Sequence, residues 1–505
     1  MLRKLARNTV ISAGAFFATS VVNLLLVPIV VQRYGLVEYG LITLARLFLP
    51  GGAISLLDFG YSETATQAVA RARTDGNWRE AGRIVVALLL VVGLVGCIVS
   101  VALGLAVPFL TRLLQAPAEN AASFEWLLAL TAVAFVPLFL SSVFEGTAKG
   151  FEAFPAIRTI EVLCAFVYAT IAIGCISAEV DYFGIAVAYL ASMGLRAVLM
   201  AGLAWRLIAK EVPQWGWPGG SDWQDVRRRG SVMAGSRLLG SLQHQLPSLI
   251  IGATLGPANA GIFDLLIRIP RFAKTVLAVL SNAVLPAAAR LDHSGNEAGL
   301  RRLTEAGLVG VSLVSLPFIF GGVAFSAALL HIWAGPQFSA LWVWQSLMFA
   351  VPLLNVFFSF GSATLLARPA IVARFNFIIA IQIALQFALA LVTMRYLEER
   401  AFILGQAAAM MATFPFQMGI IARETGARFE TWRRIGLIAL ICALGAGVTL
   451  LSGLPWVVRD TLHFAASGLA WLGACYFMIW FLCMTREERS ELTQKAGLKG
   501  IFRRK

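Results

Sequence analysis

The chain has 505 residues, of which 59% are hydrophobic and 13% are charged, and its mean hydropathy is +0.79. Soluble proteins carry roughly 25% charged residues, and the apolar residues here form many runs long enough to cross a bilayer as a helix. This composition excludes a soluble enzyme, a disordered chain and a secreted disulfide scaffold. The basic residues that give the net charge of +14 are therefore expected to reflect the orientation of the chain in the membrane. No nucleic-acid partner is expected.

Fourteen membrane spans are predicted, so the expected fold class is an all-α polytopic membrane protein. The spans lie near 9–32, 40–60, 84–108, 126–148, 160–176, 184–205, 230–253, 260–289, 306–330, 341–366, 375–394, 401–422, 435–456 and 462–484. The two ends and the even-numbered connections carry 30 Lys and Arg residues, against 5 in the odd-numbered connections. The positive-inside rule then places both termini in the cytoplasm.

The first six spans carry a polar stripe and three isolated charges. One face of span one holds four polar residues at helical spacing: Asn8, Ser12, Thr19 and Asn23. Span two contains Arg46, and because an intramembrane charge costs roughly 2.5–3.5 kcal/mol, it is expected to face a cavity or a partner. Glu145 in span four and Arg196 in span six either neutralise each other or face that cavity.

Residues 206–229 form the longest polar connection and divide the chain. They contain WGWPGG and the basic run at 227–229, which indicates an interfacial linker with Trp at headgroup level. A substrate-gating role is the alternative. The predicted domains are a lobe at 1–205, the linker at 206–229, a second lobe at 230–422, and a final part at 423–505 with two spans and a basic tail.

Spans seven, eight and ten repeat the polar pattern. Span seven carries Arg237, Ser241, His244 and Ser248 on one face, and span eight carries Asp264, Arg268, Arg271, Thr275 and Asn282 within about a 60° sector. Asp264 and Arg268 are predicted to form an i,i+4 bridge, which makes Arg271 the freer cation. His244 is either a hydrogen-bonded core residue or a proton relay. Span ten adds Asn355, Ser359 and Ser362.

Charges within the spans do not balance. The clear cases are six cations and two anions: Arg46, Arg196, Arg237, Arg268, Arg271 and Lys274, with Glu145 and Asp264. A purely structural network would come closer to neutrality. The excess of four positive charges in a low-dielectric cavity therefore indicates an anionic ligand, with interhelical hydrogen-bond seams as the alternative role for the Ser and Thr residues.

The chain also repeats itself. Gly35 and Gly40 recur as Gly256 and Gly261. The Arg71, Gly76, Asn77 pattern recurs as Arg290, Gly295 and Asn296, and Pro155-Ala156-Ile157 recurs as Pro369-Ala370-Ile371. Spans 1–6 and 7–12 are therefore predicted to be two homologous lobes of parallel topology, with spans one, two, seven and eight forming the walls of a polar cavity between them.

Catalytic and cofactor motifs are absent from the sequence. There is no G-x-x-x-x-G-K-[ST], no H-E-x-x-H, and no pair of cysteines at metal-ligand spacing. The longest predicted extracytoplasmic connection, residues 109–125, is too short for a large catalytic loop. Neither a metal nor a cofactor is expected, and transport is favoured over catalysis.

Three motifs resemble one transporter family. They are Asn8, Val10 and Gly14 as N-x-V-x-x-x-G, Y-G-x-x-x-Y-G at 34–40, and L-L-D-F-G-Y at 56–61. With the fourteen spans and the repeat, they resemble the polysaccharide-transporter branch of the multidrug/oligosaccharidyl-lipid/polysaccharide (MOP) exporter superfamily, most closely the Wzx-type O-antigen or exopolysaccharide repeat-unit flippases.

This resemblance implies a MATE-like pair of lobes working by alternating access in a bacterial cytoplasmic (inner) membrane. The implied substrate is a polyprenyl-diphosphate-linked oligosaccharide, with a polysaccharide polymerase and chain-length machinery as further partners. Arg46 and Arg268 match the cationic positions that bind substrate in related flippases. Arg271, Arg237, Asn23 and Asn355 are further binding candidates, and Asp264, Glu145 and His244 are candidates for Na⁺ or H⁺ coupling.

Three alternatives remain at this point. A peptidoglycan lipid II flippase would be expected to carry a cation in its first helix, where this chain has Asn and Thr. A cation-coupled multidrug exporter should have a neutral to acidic cavity, whereas here four positive charges are in excess. A non-transporting scaffold of a glycan-synthesis complex would make the intramembrane charges superfluous.

Overall fold

The chain folds, in a computed structural model, as a set of long helices. The structure describes residues 2–50, 52, 60–211, 216–282, 288, 291, 294–365, 368–458, 460–484 and 489. For residues 2–13, 16, 211, 221–222, 225, 227–237, 279–280, 282 and 369 the description covers the backbone alone. The side chains of Asn8, Val10 and Arg237, the basic run at 227–229 and most of the motif at 56–61 therefore lie outside it.

Within the described ranges the elements are helical and no strand is present. In chain order they are α1 Leu2–Tyr34, α2 Leu36–Leu47, α3 Tyr61–Asp75, α4 Trp78–Leu113, α5 Ala118–Gly150, α6 Phe154–Ser177, α7 Tyr182–Glu211, α8 Gly220–Leu255, α9 Pro257–Asn282, α10 Glu297–Ala324, α11 Ser326–Trp333, a 3₁₀ helix Pro336–Leu341, α12 Trp342–Met348, α13 Ala350–Leu365, α14 Pro369–Leu397, α15 Arg400–Thr425, α16 Phe429–Leu451, α17 Leu454–Val457 and α18 Thr461–Leu482.

Eleven helical segments of the described chain are long and apolar enough to cross a membrane. The other predicted spans are the second, seventh and eighth. The second, 40–60, overlaps α2, and the seventh and eighth correspond to α8 and α9. The prediction of an all-α membrane protein with about fourteen spans is confirmed. The predicted connection at 109–125 is wrong in length, because α4 continues to Leu113 and α5 begins at Ala118.

The internal repeat is visible in the backbone. Gly35 and Gly256 interrupt equivalent helices with φ of 96° and 85°, in the left-handed region that glycine adopts without strain. Gly76 and Gly295 have φ of 73° and 66°. Each precedes an asparagine that caps the next helix, since the Oδ1 of Asn77 accepts from Glu80 N–H and that of Asn296 from Gly299 N–H.

Two compact units are present: Met1–Leu265 with Leu391–Phe402, and Leu266–Ala390 with Ile403–Lys505. In the first, α3, α4 and α5 enclose a core that includes Leu88, Phe135 and Phe139. The predicted lobe limits at 205 and 230 follow the sequence repeat and stay a prediction.

The second unit contains the last two predicted spans as part of its core. Ile435 and Cys442 of α16 and Ile479 of α18 are buried together with Leu308 of α10. The indole Nε1 of Trp471 donates to the Pro317 carbonyl at 2.8 Å, which joins α18 to α10. Large apolar side chains such as Leu451, 90% exposed, lie on the outer surfaces, as a lipid environment favours.

Candidate functional site

Arg46 lies in the last turn of α2, between two tyrosines of the first unit. Its guanidinium carbon is 4.1 Å from the ring centroid of Tyr189 and 5.8 Å from that of Tyr168. One Nη also donates to the Tyr168 hydroxyl at 2.8 Å. A cation over an aromatic face is stabilised by about 0.5–2 kcal/mol, and the ring carries no charge to neutralise it.

Tyr168 and Tyr189 are fixed by their own helices. Tyr168 of α6 is only 4% exposed, and its ring meets that of Tyr189 of α7 edge-on, at 5.4 Å between centroids and 77° between planes. We call Arg46, Tyr168 and Tyr189 the arginine cage. Sequence reasoning missed both tyrosines, because they share no helix with Arg46 and follow no stripe of polar residues.

Asp264 of α9 lies close to α2, the helix that carries Arg46. The carboxylate is 7% exposed and accepts a short hydrogen bond from the hydroxyl of Tyr39 in α2. This contact is possible because α2 and the start of α9 approach without side chains between them: a Cβ added to Gly40 would lie 1.8 Å from the Pro257 carbonyl oxygen. The predicted bridge from Asp264 to Arg268 stays a prediction.

Glu145 belongs to a charge network among α5, α6 and α7. Its Oε2 lies 2.5 Å from an Nη of Arg196, and its Oε1 lies 2.7 Å from the Nζ of Lys149. Glu161 contacts Arg196 at 3.6 Å and Arg158 at 2.5 Å. Every member is partly buried, with side-chain exposures between 17% and 30%.

This network confirms the interpretation that Glu145 and Arg196 neutralise each other. Together with Glu161, the pair joins α5, α6 and α7 of the first unit. The pair removes one charge of each sign, but Glu161 lies inside predicted span five, so the excess of cations within the spans is smaller than the four counted from the clear cases. Lys149, Arg158 and Glu161 were not among the predicted site residues. Lys149 and Arg158 lie near helix ends, where charges are common, and Glu161 lies inside predicted span five.

The remaining predicted cations lie on α8 and α9. Arg268 and Arg271 are half-buried on α9, which continues as a helix through Pro270. His244 is half-buried on α8. Arg237 is also in α8, and its side chain lies outside the described residues. The helical assignment behind the predicted stripes is therefore confirmed, and the binding roles stay predictions.

The two candidate asparagines use their amide donors locally. Nδ2 of Asn23 donates to the Thr19 carbonyl at 2.8 Å, and Nδ2 of Asn355 donates to the Val351 carbonyl at 2.8 Å. Both bonds lie within the residue's own helix and both side chains are half-buried. The amide oxygens are thereby oriented away from the helix backbone, where a hydroxyl-rich ligand could donate to them.

A buried amide group in the second unit was not predicted at all. The Oε1 of Gln382 in α14 accepts from Thr413 Oγ1 at 3.2 Å and from Gln417 Nε2 at 3.1 Å, both in α15. All three side chains are 2–4% exposed. Such bonds join membrane helices at roughly 0.6 kcal/mol each, so this group is assigned a packing role.

The sequence matches the family model described as "Polysaccharide biosynthesis protein" over residues 38–342. This range is more than half of the chain and contains the arginine cage, Asp264, Arg268 and Arg271. The chain belongs to the polysaccharide biosynthesis protein family. No curated protein matches it by sequence search.

Solved structures place this family member in the MOP superfamily fold. The lipid II flippase MurJ, in an inward closed conformation, is similar with a TM-score of 0.70 and 11% identity, covering 97% of this chain and 100% of MurJ. An inward-facing multidrug resistance MATE transporter is similar with a TM-score of 0.61 and 15% identity, covering 83% and 94%. A MOP superfamily transporter from Pyrococcus furiosus has a TM-score of 0.56 and 16% identity, covering 82% and 96%.

The predicted resemblance to the polysaccharide-transporter branch is confirmed. The chain is a multi-pass membrane protein of the polysaccharide biosynthesis protein family with the fold of the MOP superfamily, and the solved structures that it resembles are transporters and a flippase. At these identities the solved structures establish the fold, and the substrate must be argued from the residues of this chain.

Proposed function

We propose that the protein moves a polyprenyl-diphosphate-linked oligosaccharide from the cytoplasmic to the periplasmic leaflet of a bacterial cytoplasmic membrane, for O-antigen or exopolysaccharide synthesis. The observation that carries the proposal is the arginine cage. It positions a guanidinium in a membrane helix against two phenol rings, which orient the cation. The family description, polysaccharide biosynthesis, supports a glycan as the cargo.

A diphosphate matches guanidinium chemistry. Arginine stays charged at every physiological pH and offers paired donors that fit two phosphate oxygens. Arg46, Arg268 and Arg271 are the residues that we expect to bind it. Asn23 and Asn355 would accept hydrogen bonds from sugar hydroxyls through their amide oxygens.

The sign of the intramembrane charge distinguishes this cargo from a cationic drug. The predicted spans contain six cations and four anions, the anions being Asp58, Glu145, Glu161 and Asp264. An anionic headgroup is stabilised by that excess of cations, whereas a cationic drug is repelled. For the P. furiosus transporter, a reversed polarity of the binding pocket was itself taken to suggest a different function. The same criterion applied to this chain favours an anionic substrate.

Transport would proceed by alternating access. The headgroup binds the cations from the cytoplasmic side while the prenyl chain stays in lipid, and release follows once the site opens to the periplasm. Binding must remain moderate, because a tightly held diphosphate would limit release. A polysaccharide polymerase and its chain-length machinery would consume the delivered substrate and so favour the forward direction.

Coupling to Na⁺ or H⁺ is assigned, within this proposal, to Asp264 rather than Glu145. Both Glu145 oxygens already contact cationic groups, so a proton or Na⁺ bound there would displace two ion pairs. Asp264 accepts a hydrogen bond from the Tyr39 hydroxyl, and it lies one helical turn before Arg268, an expected substrate-binding residue on the same helix. His244 stays a candidate for proton transfer.

The test is complementation of a strain that lacks the protein and therefore lacks its surface polysaccharide. Variants Arg46→Ala, Arg268→Ala and Arg271→Ala are expected to reach normal membrane abundance, to lose polysaccharide, and to accumulate lipid-linked oligosaccharide on the cytoplasmic leaflet. Arg46→Lys should retain part of the function, because it keeps the charge and loses the paired donors. Arg433→Ala, which removes an exposed arginine paired with Glu430, is the matched control and should complement fully.

The same strains separate the alternatives. Full complementation by all three alanine variants would contradict the proposed cationic site and favour a scaffold. Rescue of cells depleted of their lipid II flippase would identify lipid II as the cargo. Altered drug susceptibility with normal polysaccharide would identify a drug exporter.

A further inference from the structure

A charged cleft opens on the second unit, and none of its lining residues belongs to the arginine cage. Its volume is about 700 Å³. Its walls come from three places: the start of α10, the residue before α14, and the end of α15. Its described lining includes three arginines, two glutamates and a capping asparagine: Arg301, Arg368, Arg423, Glu297, Glu424 and Asn296.

All three walls lie at one end of the membrane-spanning helices. α10 and α14 begin there and α15 ends there. The connections at this end are even-numbered in the predicted order, so the Lys and Arg distribution assigns them to the cytoplasm. The cleft therefore lies near the depth of the phosphates of the cytoplasmic leaflet.

The charge of the cleft favours an anion. Glu424 is already engaged, since its Oε1 lies 3.1 Å from an Nη of Arg374. Counting that arginine, four guanidinium groups surround two carboxylates. The cleft also opens at the start of α10, where the helix dipole adds partial positive charge.

The walls are held in place before any ligand binds. The backbone N–H of Arg428 donates to Glu305 Oε1 at 2.9 Å, which attaches the segment after α15 to α10. Gly426 adopts a φ of 60° and lies beside Arg301, since a Cβ added to this glycine would be 3.9 Å from the Arg301 Cδ. Arg301 is half-buried, and its Nε has no hydrogen-bond partner among the described residues.

We propose that this cleft binds the phosphate of an anionic membrane lipid headgroup. Three arginines from three separate elements can surround a phosphate, each with paired donors. Basic pockets between helix ends on the cytoplasmic side suit anionic lipids, because that leaflet carries the negative surface potential. The site is distinct from the proposed transport site, since none of its lining residues belongs to that site.

The experiment measures the thermal stability of the purified full-length protein in detergent with added lipid. Phosphatidylglycerol is expected to raise the melting temperature, because a ligand that binds only the folded state stabilises it. Phosphatidylcholine is expected to leave the melting temperature unchanged. Arg301→Gln and Arg423→Gln should lose at least half of that rise. Arg433→Gln, an exposed arginine on the same membrane face, should keep it, as should Arg46→Ala.

A conservative variant and two soluble anions test the proposal further. Arg301→Lys preserves the charge and should keep a reduced rise even if Arg301→Gln folds poorly. Inorganic phosphate and pyrophosphate test for a soluble ligand. Equal lipid effects in the cleft variants and in Arg433→Gln would overturn the proposal, and so would stabilisation by the soluble anions without stabilisation by lipid. Loss of the lipid effect in Arg46→Ala alone would move the lipid to the transport site and overturn the cleft assignment.

Discussion

The position of Arg46 depends on two residues that do not resemble binding residues in the sequence. Tyr168 and Tyr189 contribute a hydroxyl acceptor and a ring face, and both groups are neutral. These two contacts orient the guanidinium. By contrast, Arg196 lies in a network with Glu145 and Glu161. Two intramembrane arginines of the same unit thus have different environments and different expected roles.

Removing the ring beneath Arg46 should reduce transport. Tyr189→Leu deletes a cation–π contact worth about 1 kcal/mol, so polysaccharide transport should fall by about fivefold, whereas Tyr189→Phe keeps the ring and should be close to wild type. The measurement is surface polysaccharide at matched membrane abundance. Tyr396→Leu, at a residue that is 86% exposed, is the control. Wild-type transport by Tyr189→Leu would show that the ring does not position Arg46.

Glu399 is a buried carboxyl in the short connection between α14 and α15. The residue is 0% exposed, and one oxygen lies 3.2 Å from Arg400 Nε. Its Oε2 has no hydrogen-bond partner within the part of the chain that the structure describes. Burial raises the pKa of this carboxyl, and the neighbouring Arg400 only partly opposes the rise.

The sign of the pH effect follows from this raised pKa. The fold favours the protonated acid, so the contribution of Glu399 is present below the ordinary glutamate pKa of about 4.3 and is lost as pH rises through the folded value. Glu399→Gln should therefore be more stable than wild type at neutral pH, and the difference should shrink towards about pH 4. Melting temperature against pH measures it, with the exposed Glu398→Gln as control. A variant less stable than wild type at neutral pH would contradict the prediction.

At the scale of elements, the crossing of α2 with the start of α9 depends on glycine at two repeat-related positions. Gly40 lies against the Pro257 carbonyl, and a Cβ on Gly261 would lie 2.8 Å from the Leu36 carbonyl oxygen. The close approach brings Tyr39 to Asp264. The repeat thus provides the same small residue on both helices at the point where they cross.

Gly40→Ala should destabilise the protein, because the new methyl group has no space. Overpacking a tight contact costs about 1–3 kcal/mol, and here the obstacle is backbone rather than a movable side chain. Gly104→Ala is the matched control, since nothing lies within 4 Å of its added Cβ and alanine favours the helix by roughly 0.5–1 kcal/mol. The melting temperatures should therefore move in opposite directions. A Gly40→Ala variant as stable as wild type would disprove the close packing.

At the scale of the whole molecule, the basic residues predict the orientation in the membrane. The connection between α4 and α5 should be periplasmic and the connection between α5 and α6 cytoplasmic, with both termini cytoplasmic. Cysteine introduced as Glu119→Cys should react with an impermeant maleimide on intact spheroplasts. Glu152→Cys should react only after permeabilisation, and the parent protein gives the background from its native cysteines. The reverse pattern would invert the topology and move the proposed lipid cleft to the other leaflet.

Much of the fold was predictable because its causes are local. Runs of apolar residues require helices wherever the backbone must satisfy its own hydrogen bonds in lipid. The breaks at Gly35, Gly76, Gly256 and Gly295 and the caps at Asn77 and Asn296 are local signals too. The limits of helices were less predictable: α4 and α5 extend well past their apolar runs, because a helix can continue into polar residues at the membrane surface.

The amino-acid sequence by itself determined the membrane class, the number of spans, the repeat, the intramembrane cations and the family motifs. Only the tertiary structure decided which partner each charge has. Helical spacing defines a face within one helix, but the rotation of that helix against its neighbours depends on packing across the whole unit. Arg46 and Tyr168 are 122 positions apart, and Tyr39 and Asp264 are 225 apart. No local pattern can pair residues at such separations, so the arginine cage, the Glu145 network and the charged cleft became visible only in the folded chain.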